Sequence, residues 1–352
     1  MTNQPDVDNH KLIYHTDRVT EWLKKGDCYP IYVEIGPTNI CNHKCVFCAL
    51  DFLKNKKTSI KKEVLSLALE DMSNHGVKSI MFAGEGEPLL HKDIGFFTQQ
   101  AKEYKLDVSI TTNGVLFTQN KREQCLPNLS WIRFSVDSGS SENYSKIHGT
   151  KTSDFERLID NIKESVEFRD RNKLKTTIGC QFLATPQNIK EAGKLAKILR
   201  DIGVDNLQIK PYSHHPDSLN DLIVGLKEYN NLEKELVNFN SKNFKILFRR
   251  TTAKRIEEGI NYPNCYGLPF FVLIDARGNV IPCNLFYNKE EFAYGNLYKN
   301  SFSEIWECEK RKKVLNKINY QGTKECRRGC RLDPINRYLD RLKNPEPHDN
   351  FI

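Results

Sequence analysis

Three cysteines fall within eight residues, Cys41-Asn42-His43-Lys44-Cys45-Val46-Phe47-Cys48. Spacings of three and two residues let three sulfurs converge on one centre. Thiolates are soft, charged donors that suit iron–sulfur clusters and zinc alike. A structural zinc site takes four ligands, whereas three cysteines on a four-iron cluster leave one iron open to bind a substrate. On spacing alone, zinc with His43 as fourth ligand and unrelated core thiols both stay open. A second group, Cys265, Cys283, Cys326 and Cys330, lies in the last third of the chain. Cys265 and Cys283 bracket a hairpin pattern, FFVLIDARGNVIPC, with its turn expected at Ala276-Arg277-Gly278-Asn279. Cys326 and Cys330 stand one helical turn apart in KECRRGCRLD. Four thiolates complete a cluster, and they equally satisfy zinc. Cys308, in IWECEK, reads as a helix thiol, with a ligand or hydrogen-donor role as its alternatives. Cys28, Cys125 and Cys180 stand alone.

The elements that must position these thiols are written in the alternation of apolar and polar residues. Strand patterns rich in β-branched and aromatic residues run over 32–38, 78–83, 107–112, 131–136, 176–184 and 206–211. Amphipathic stretches such as 153–171 and 188–202 separate them. Repeated strand–helix units imply a parallel sheet with helices on its outer face. Six units give an α/β fold, a partial (β/α)6 barrel, whose ligands bind at the carboxyl ends of the strands. The first cysteine group follows the first strand. Beyond Tyr212 the pattern changes to a helix over 218–238, a strand over 244–248, the hairpin, and short helices with cysteine loops. The expected division is an N-terminal extension 1–31, a barrel 32–215, a connecting helix and strand 216–250, and a small β-hairpin plus helix iron–sulfur domain 251–352.

The motif Cys-x3-Cys-x2-Cys, with aromatic Phe47 before its last cysteine, resembles that of the radical S-adenosylmethionine (SAM) superfamily. The resemblance implies that Cys41, Cys45 and Cys48 hold a [4Fe–4S] cluster whose open iron chelates the methionine end of SAM. One electron then breaks the sulfur–C5′ bond, and the 5′-deoxyadenosyl radical takes a hydrogen atom from the substrate. Further segments agree in order along residues 32–213. Ala83-Gly84-Glu85-Gly86-Glu87-Pro88 resembles the family's Gly-Gly-Glu-Pro segment, which implies that Gly86 and Glu87 meet the SAM amino group. Glu85 stands where the family often has glycine. Thr112 and Asn113, ending the third strand pattern, resemble a family segment near SAM. Ser135 and Asp137 are similar to residues that bind the ribose hydroxyls. Gln181 and Asn188 match polar positions around SAM, and Asn188 also suits a helix N-cap. The C-terminal cysteines resemble the SPASM/twitch extension, and their number favours the twitch-like form with one auxiliary [4Fe–4S] cluster on Cys265, Cys283, Cys326 and Cys330.

Such an auxiliary cluster can pass electrons but cannot bind substrate, which favours an oxidation. The spacing is similar to that of 2-deoxy-scyllo-inosamine dehydrogenase. The short stretch before the first strand leaves no room for the peptide-binding domain of many peptide-modifying relatives. The expected substrate is therefore a small polar molecule: a sugar, aminocyclitol or nucleotide sugar. The alternatives are a redox-neutral epimerase or rearrangement enzyme with Cys308 or Cys180 returning hydrogen, a peptide-modifying maturase, and a non-catalytic zinc protein. An external electron donor such as flavodoxin or ferredoxin is implied. The net charge of +8 fits a solvated lysine-rich surface, or a basic mouth for a phosphorylated or nucleotide-linked substrate. No basic–aromatic module calls for nucleic acid. No apolar run is long enough for a membrane span. With no leader-like start, reduced thiols in the cytoplasm are expected.

Overall fold

A computed structural model describes residues 9–351. Residues 1–8, the start of the expected N-terminal extension, and residue 352, the end of the expected last segment, lie outside the described residues. Helix α1 (Thr16–Lys25) precedes β1 (Tyr32–Ile35). Strand–helix units follow: α2 (Lys62–Asn74), β2 (Ser79–Phe82), α3 (Ile94–Glu103), β3 (Asp107–Thr112), α4 (Gln119–Cys125) and β4 (Trp131–Ser135). Next come α5 (Ser141–His148), α6 (Ser153–Arg171), β5 (Thr177–Ala184), α7 (Ala192–Ile202) and β6 (Asn206–Pro211). Then follow α8 (Leu226–Leu236), β7 (Lys245–Phe248), α9 (Arg250–Glu258), β8 (Phe271–Ile274), β9 (Asn279–Ile281) and β10 (Gly295–Asn296). Helices α10 (Phe302–Glu307), α11 (Glu309–Gln321) and α12 (Asp333–Lys343) complete the order.

All ten strands form one open sheet in the order β10-β9-β8-β1-β2-β3-β4-β5-β6-β7. From β8 to β7 every pairing is parallel, and β9 and β10 add antiparallel. The fold is thus a partial barrel of the expected α/β class, with β7 and β8 flanking the six expected strands. Alternation explains its two faces. Val33, Ile35, Ile80, Phe82, Val108, Ile110, Ile132, Phe134, Ile178, Phe182, Leu207 and Ile209 are buried against the helix layer. Truncating one of the phenylalanines to alanine would cost about 3–5 kcal/mol. The intervening positions, among them Glu34, Ser109, Arg133, Ser135, Gln181, Gln208 and Lys210, turn to the inner face, which is therefore polar.

Two expectations need correction. The helix expected over 218–238 begins only at Leu226. Residues 218–225 form a loop, in which the Asn220 carbonyl accepts from Tyr212 Oη at 2.9 Å and lies 2.7 Å from His214 Nδ1. Asp217, Ser218, Asn220 and Asp221 bond local backbone well and favour turns over helix interiors. The hairpin turn begins one residue earlier than expected. Gly278 N donates to Asp275 O, and the Asp275 carboxylate accepts from the amides of Arg277 and Asn279. The aspartate thereby fixes the turn that glycine at φ +78° completes.

Candidate active site

The loop 41–48 leaves the carboxyl end of β1 and lies along the end of α5. Lys44 N donates to His148 O and Val46 N to Ile147 O. A side chain at Gly149 would press its Cβ to 2.5 Å from Lys44 O, so this approach requires glycine. Cys41 and Cys48 are exposed, and Cys45 is half-buried. Phe47 meets the His148 ring edge-on, with centroids 5.1 Å apart. Burial pushes the Cys41 thiol up to about 11 and raises Cys45 and Cys48 in the same direction. All three thiols are protonated at neutral pH until a bound cation stabilises the thiolates.

The acidic turn after β2 reaches this loop through a network. The buried Glu87 carboxylate accepts from Thr112 Oγ1 at 2.6 Å, Asn113 N at 2.8 Å and Leu89 N at 3.0 Å. Burial raises its pKa, and these three donors oppose the rise. Asn113 Nδ2 donates to Asn42 Oδ1 at 2.8 Å, inside the cysteine loop. Gly86 is needed for packing, because a Cβ there would lie 2.4 Å from Thr38 O and 2.6 Å from Ile40 O. Glu87, Thr112 and Asn113 are therefore brought together beside the three thiols. Ser135 and Gln181 are direct neighbours on β4 and β5, side by side on the inner face.

Four other expected site residues are buried or have their polar atoms engaged by neighbours. Asp137, at φ +43°, is turned inward: Oδ1 accepts from Leu183 N at 2.5 Å, and Oδ2 lies 3.5 Å from His148 Nε2. It is 1% exposed, with both carboxylate oxygens directed at these neighbours. Burial lifts its carboxyl to about 7 and lowers His148 to about 3, so both favour their neutral forms. The Asn188 amide is fully used, accepting from Thr185 N and donating to the carbonyls of Asp137 and Leu183. It is a staple between two loops rather than a side-chain cap. Cys180 shares the parity of Ile178 and Phe182 and is buried among the helix-facing core residues, away from the inner face. Cys308 caps α11: its sulfur accepts from Arg311 N at 3.4 Å and lies 3.1 Å from Ile305 O. Cys180 thus lies off the inner face, and the Cys308 sulfur is engaged at the start of α11.

Cys265, before β8, and Cys283, after β9, come together with Cys326 and Cys330 from the loop between α11 and α12. Burial raises all four thiols, and neighbouring thiols of the group raise Cys265, Cys283 and Cys326 further; Cys265 reaches about 12 and Cys326 about 11. The loop 326–331 spans the open side of the barrel. Arg327 donates to Ser213 Oγ and O, and Ser213 donates to Arg328 O, on the β6 side. On the β1 side Arg331 bonds Tyr32 Oη and pairs with Glu34. Among the described residues, the one trio of metal-capable atoms within 4.8 Å of one another is His43, Cys45 and His148, where Cys45 Sγ lies 3.3 Å from His148 Nδ1. Tetrahedral zinc at about 2.3 Å from each sulfur would need sulfurs about 4 Å apart. Neither cysteine group has three sulfurs within 4.8 Å of one another, and a four-iron core, which holds its ligands farther apart than one zinc ion does, suits that spread.

Sequence reasoning missed His148, the trio it forms, and the inner-face cations Arg133 and Lys210. The latter two carried a signal, being charged residues in the middle of otherwise apolar strand patterns.

Comparison with known proteins identifies a domain around each cysteine group. Residues 35–182 match the radical SAM superfamily, and residues 265–331 match SPASM, an iron–sulfur cluster-binding domain. The chain carries a radical SAM domain and a SPASM domain. The first implies a [4Fe–4S] cluster and SAM, the second auxiliary iron–sulfur clusters, and radical SAM enzymes need an electron donor. A protein of Methanocaldococcus jannaschii named a probable GTP 3′,8-cyclase is 32% identical over 173 residues, 49% of this chain and 55% of that protein. One of the same name from Saccharolobus islandicus is 28% identical over 204 residues, 57% of this chain and 62% of that protein. This radical SAM chain thus spans only about three fifths of the length of these curated relatives. Among solved structures, Streptococcus suis SuiB bound to S-adenosylmethionine superposes with a TM-score of 0.67 at 18% identity, covering 88% of this chain and 72% of SuiB. AnSMEcpe with bound AdoMet gives 0.57 at 18% identity, covering 89% and 92%. These likenesses establish the shared fold. No helix among the described residues is long and apolar enough to cross a membrane.

Proposed function

We propose that this radical SAM enzyme oxidises a small polar substrate held in the barrel lumen. In this reading residues 32–215 form the barrel, 216–250 the connection and 251–352 the auxiliary unit. Cys41, Cys45 and Cys48 hold the SAM-binding cluster, and Cys265, Cys283, Cys326 and Cys330 hold one auxiliary cluster. Bound there, the clusters and SAM supply one-electron cleavage to a hydrogen-abstracting 5′-deoxyadenosyl radical and an exit for the substrate's electron. A hydroxyl-bearing carbon that loses a hydrogen atom, a proton and an electron becomes a carbonyl.

The chain's own residues bind, orient and enclose. Glu87, held by Thr112 and Asn113, offers a carboxylate to the SAM ammonium. Ser135 and Gln181 face the remainder of SAM from the inner face, and Phe47 covers the cysteine loop. Asp137 and Asn188 act at one remove, by fixing the β5 end and His148.

What carries this reading is the loop 326–331, which runs from Ser213 to Tyr32 and Glu34 across the open side. A substrate in the lumen then lies between the two thiol groups. Cytoplasmic location and donation by a flavodoxin or ferredoxin belong to the same reading. Return of hydrogen by Cys180 or Cys308 is not part of it, given where those thiols sit.

The test is anaerobic turnover. Cys41→Ala, Cys45→Ala and Cys48→Ala should each lower 5′-deoxyadenosine output by more than about 100-fold. Cys326→Ala with Cys330→Ala should keep cleavage and lose the oxidised product. Full product from the double variant overturns the electron-exit role. A modified peptide as the product would instead place the chain functionally with SuiB, one structure of which is bound to a precursor peptide.

A further inference from the structure

The inner face holds more positive charge than its fold requires. Arg133 projects from β4, Lys210 from β6, and Arg249 follows β7, where the strand register sets Gln208 opposite Leu247 and so aligns Lys210 with Arg249. Arg327 and Arg331 enter from the loop that spans the open side. Some of this charge has structural work: Arg331 pairs with Glu34, Arg327 holds Ser213, and Arg249 reaches Gln208. Arg133 stacks on Trp131 with its guanidinium carbon 4.6 Å from the ring centroid, and its Nε is buried without a hydrogen-bond partner. For Lys210 no hydrogen bond or ion pair stands among the described residues.

The five cations also feel one another. Burial, then Arg249, Arg327, Arg331 and Arg133, push the Lys210 ammonium well below its usual range. Burial and the charges of Arg249 and Arg331 likewise lower Arg133 to about 10. Gathering like charges in a poorly solvated space is costly, and leucine or methionine at 133 and 210 would serve the sheet better.

Five cations less Glu34 leave +4, or about +3 where Asp137, which also feels Lys210, is ionised. A four-iron core on four thiolates, whose ligand Cys330 lies beside Arg327 and Arg331, offsets about 2 of these. About +1 to +2 remains, carried chiefly by Arg133 and Lys210. SAM does not match it, since a carboxylate against an ammonium and a sulfonium leaves SAM a net cation. One carboxylate would match only the lower figure. A phosphate group supplies about −2 and accepts the paired N–H donors of a guanidinium in fork geometry.

We propose that Arg133, Lys210 and Arg249 form the subsite for a phosphate or pyrophosphate group of the substrate. The site thus takes a phosphorylated small molecule such as a nucleotide or a sugar phosphate. This rests on the lumen being the substrate site, and it adds the substrate's charged part.

The test is anaerobic calorimetry on the reconstituted holoenzyme, with inorganic pyrophosphate as the probe. Wild type should bind one equivalent saturably, and more weakly as salt rises. Arg133→Gln and Lys210→Met should each weaken binding about tenfold or more, and Lys210→Arg should bind within about threefold of wild type. The visible absorbance of the clusters reports that each variant is folded and loaded. Absence of saturable binding by wild type, or wild-type affinity in both neutral variants, overturns the proposal. The two readings fail separately. Pyrophosphate binding without 5′-deoxyadenosine formation leaves the anion site standing and sinks the radical chemistry, and the reverse pattern sinks the anion site alone.

Discussion

Cys41, Cys45 and Cys48 come from eight consecutive residues laid over one strand end, and two of the three are exposed. Cys265, Cys283, Cys326 and Cys330 come from both arms of a hairpin and from a loop between two helices, and all four are half-buried. The first group depends on β1 and α5, which fold around a core that contains none of its sulfurs. The second brings together segments from separate elements, which side-chain bonds such as Thr323 Oγ1 to Tyr262 O and Gly267 N to Asn336 Oδ1 also tie. One is a site placed on a finished scaffold, and the other is part of the scaffold. Metal binding and folding are linked most tightly where the ligands come from separate elements.

The sharpest way to break this comparison is to remove ligands from each group and watch stability rather than turnover. Cys326→Ala with Cys330→Ala should lower the thermal midpoint by roughly 5 °C or more. Cys41→Ala, Cys45→Ala or Cys48→Ala should each move it by less than about 2 °C. Anaerobic circular dichroism decides, and equal shifts would show that both groups are scaffold.

A second measurement asks whether packing shares the load with metal in the C-terminal region. The Arg311 side chain, 1% exposed, bonds both Asp27 oxygens at 2.6 and 2.7 Å and stacks on Trp306 at 3.7 Å, tying α11 to the segment before β1. Arg311→Met should cost about 2–3 kcal/mol in urea unfolding, with the iron content unchanged at about eight per chain. Loss of iron in this variant would mean that the auxiliary site depends on this anchor.

The smallest effect concerns the backing of the first loop. Asp137 is raised from 3.8 to about 7, so between those values the folded chain keeps a proton that the unfolded chain has lost. Its contribution to stability is full below pH 3.8 and is lost as pH rises through about 7. The asparagine of Asp137→Asn still accepts from Leu183 N and does not titrate. From pH 5 to pH 8 the variant should therefore gain about 1–3 kcal/mol relative to wild type. His148, pushed down to about 3, acts in the opposite sense below pH 6.5 and largely cancels between the two proteins. A gap that does not change with pH would place the Asp137 carboxyl in contact with water.

Much of this was legible in the sequence where the signal is local. The six central strands show in β-branched runs such as Val33 to Ile35 and Asp107 to Thr112. The first cysteine group needs no fold to be seen. Cys180 could have been excluded as a hydrogen donor, because it shares parity with Ile178 and Phe182. The fate of Asp137 could not, since it depends on His148 eleven residues later and on a left-handed backbone at a non-glycine residue. The cation cluster was half visible: Arg133 and Lys210 interrupt apolar strands, but Arg327 and Arg331 join them only through the crossing loop.

The hairpin leans on the barrel through a full ladder, Tyr32 to Phe271 through Ile35 to Ile274. Cut away, it would leave β1 as a bare strand edge of unpaired amides and carbonyls flanked by Val33 and Ile35, a template for self-association. The cysteine-bearing hairpin therefore also serves as a guard on the sheet's rim, and a chain halted before it would be pulled toward its own copies.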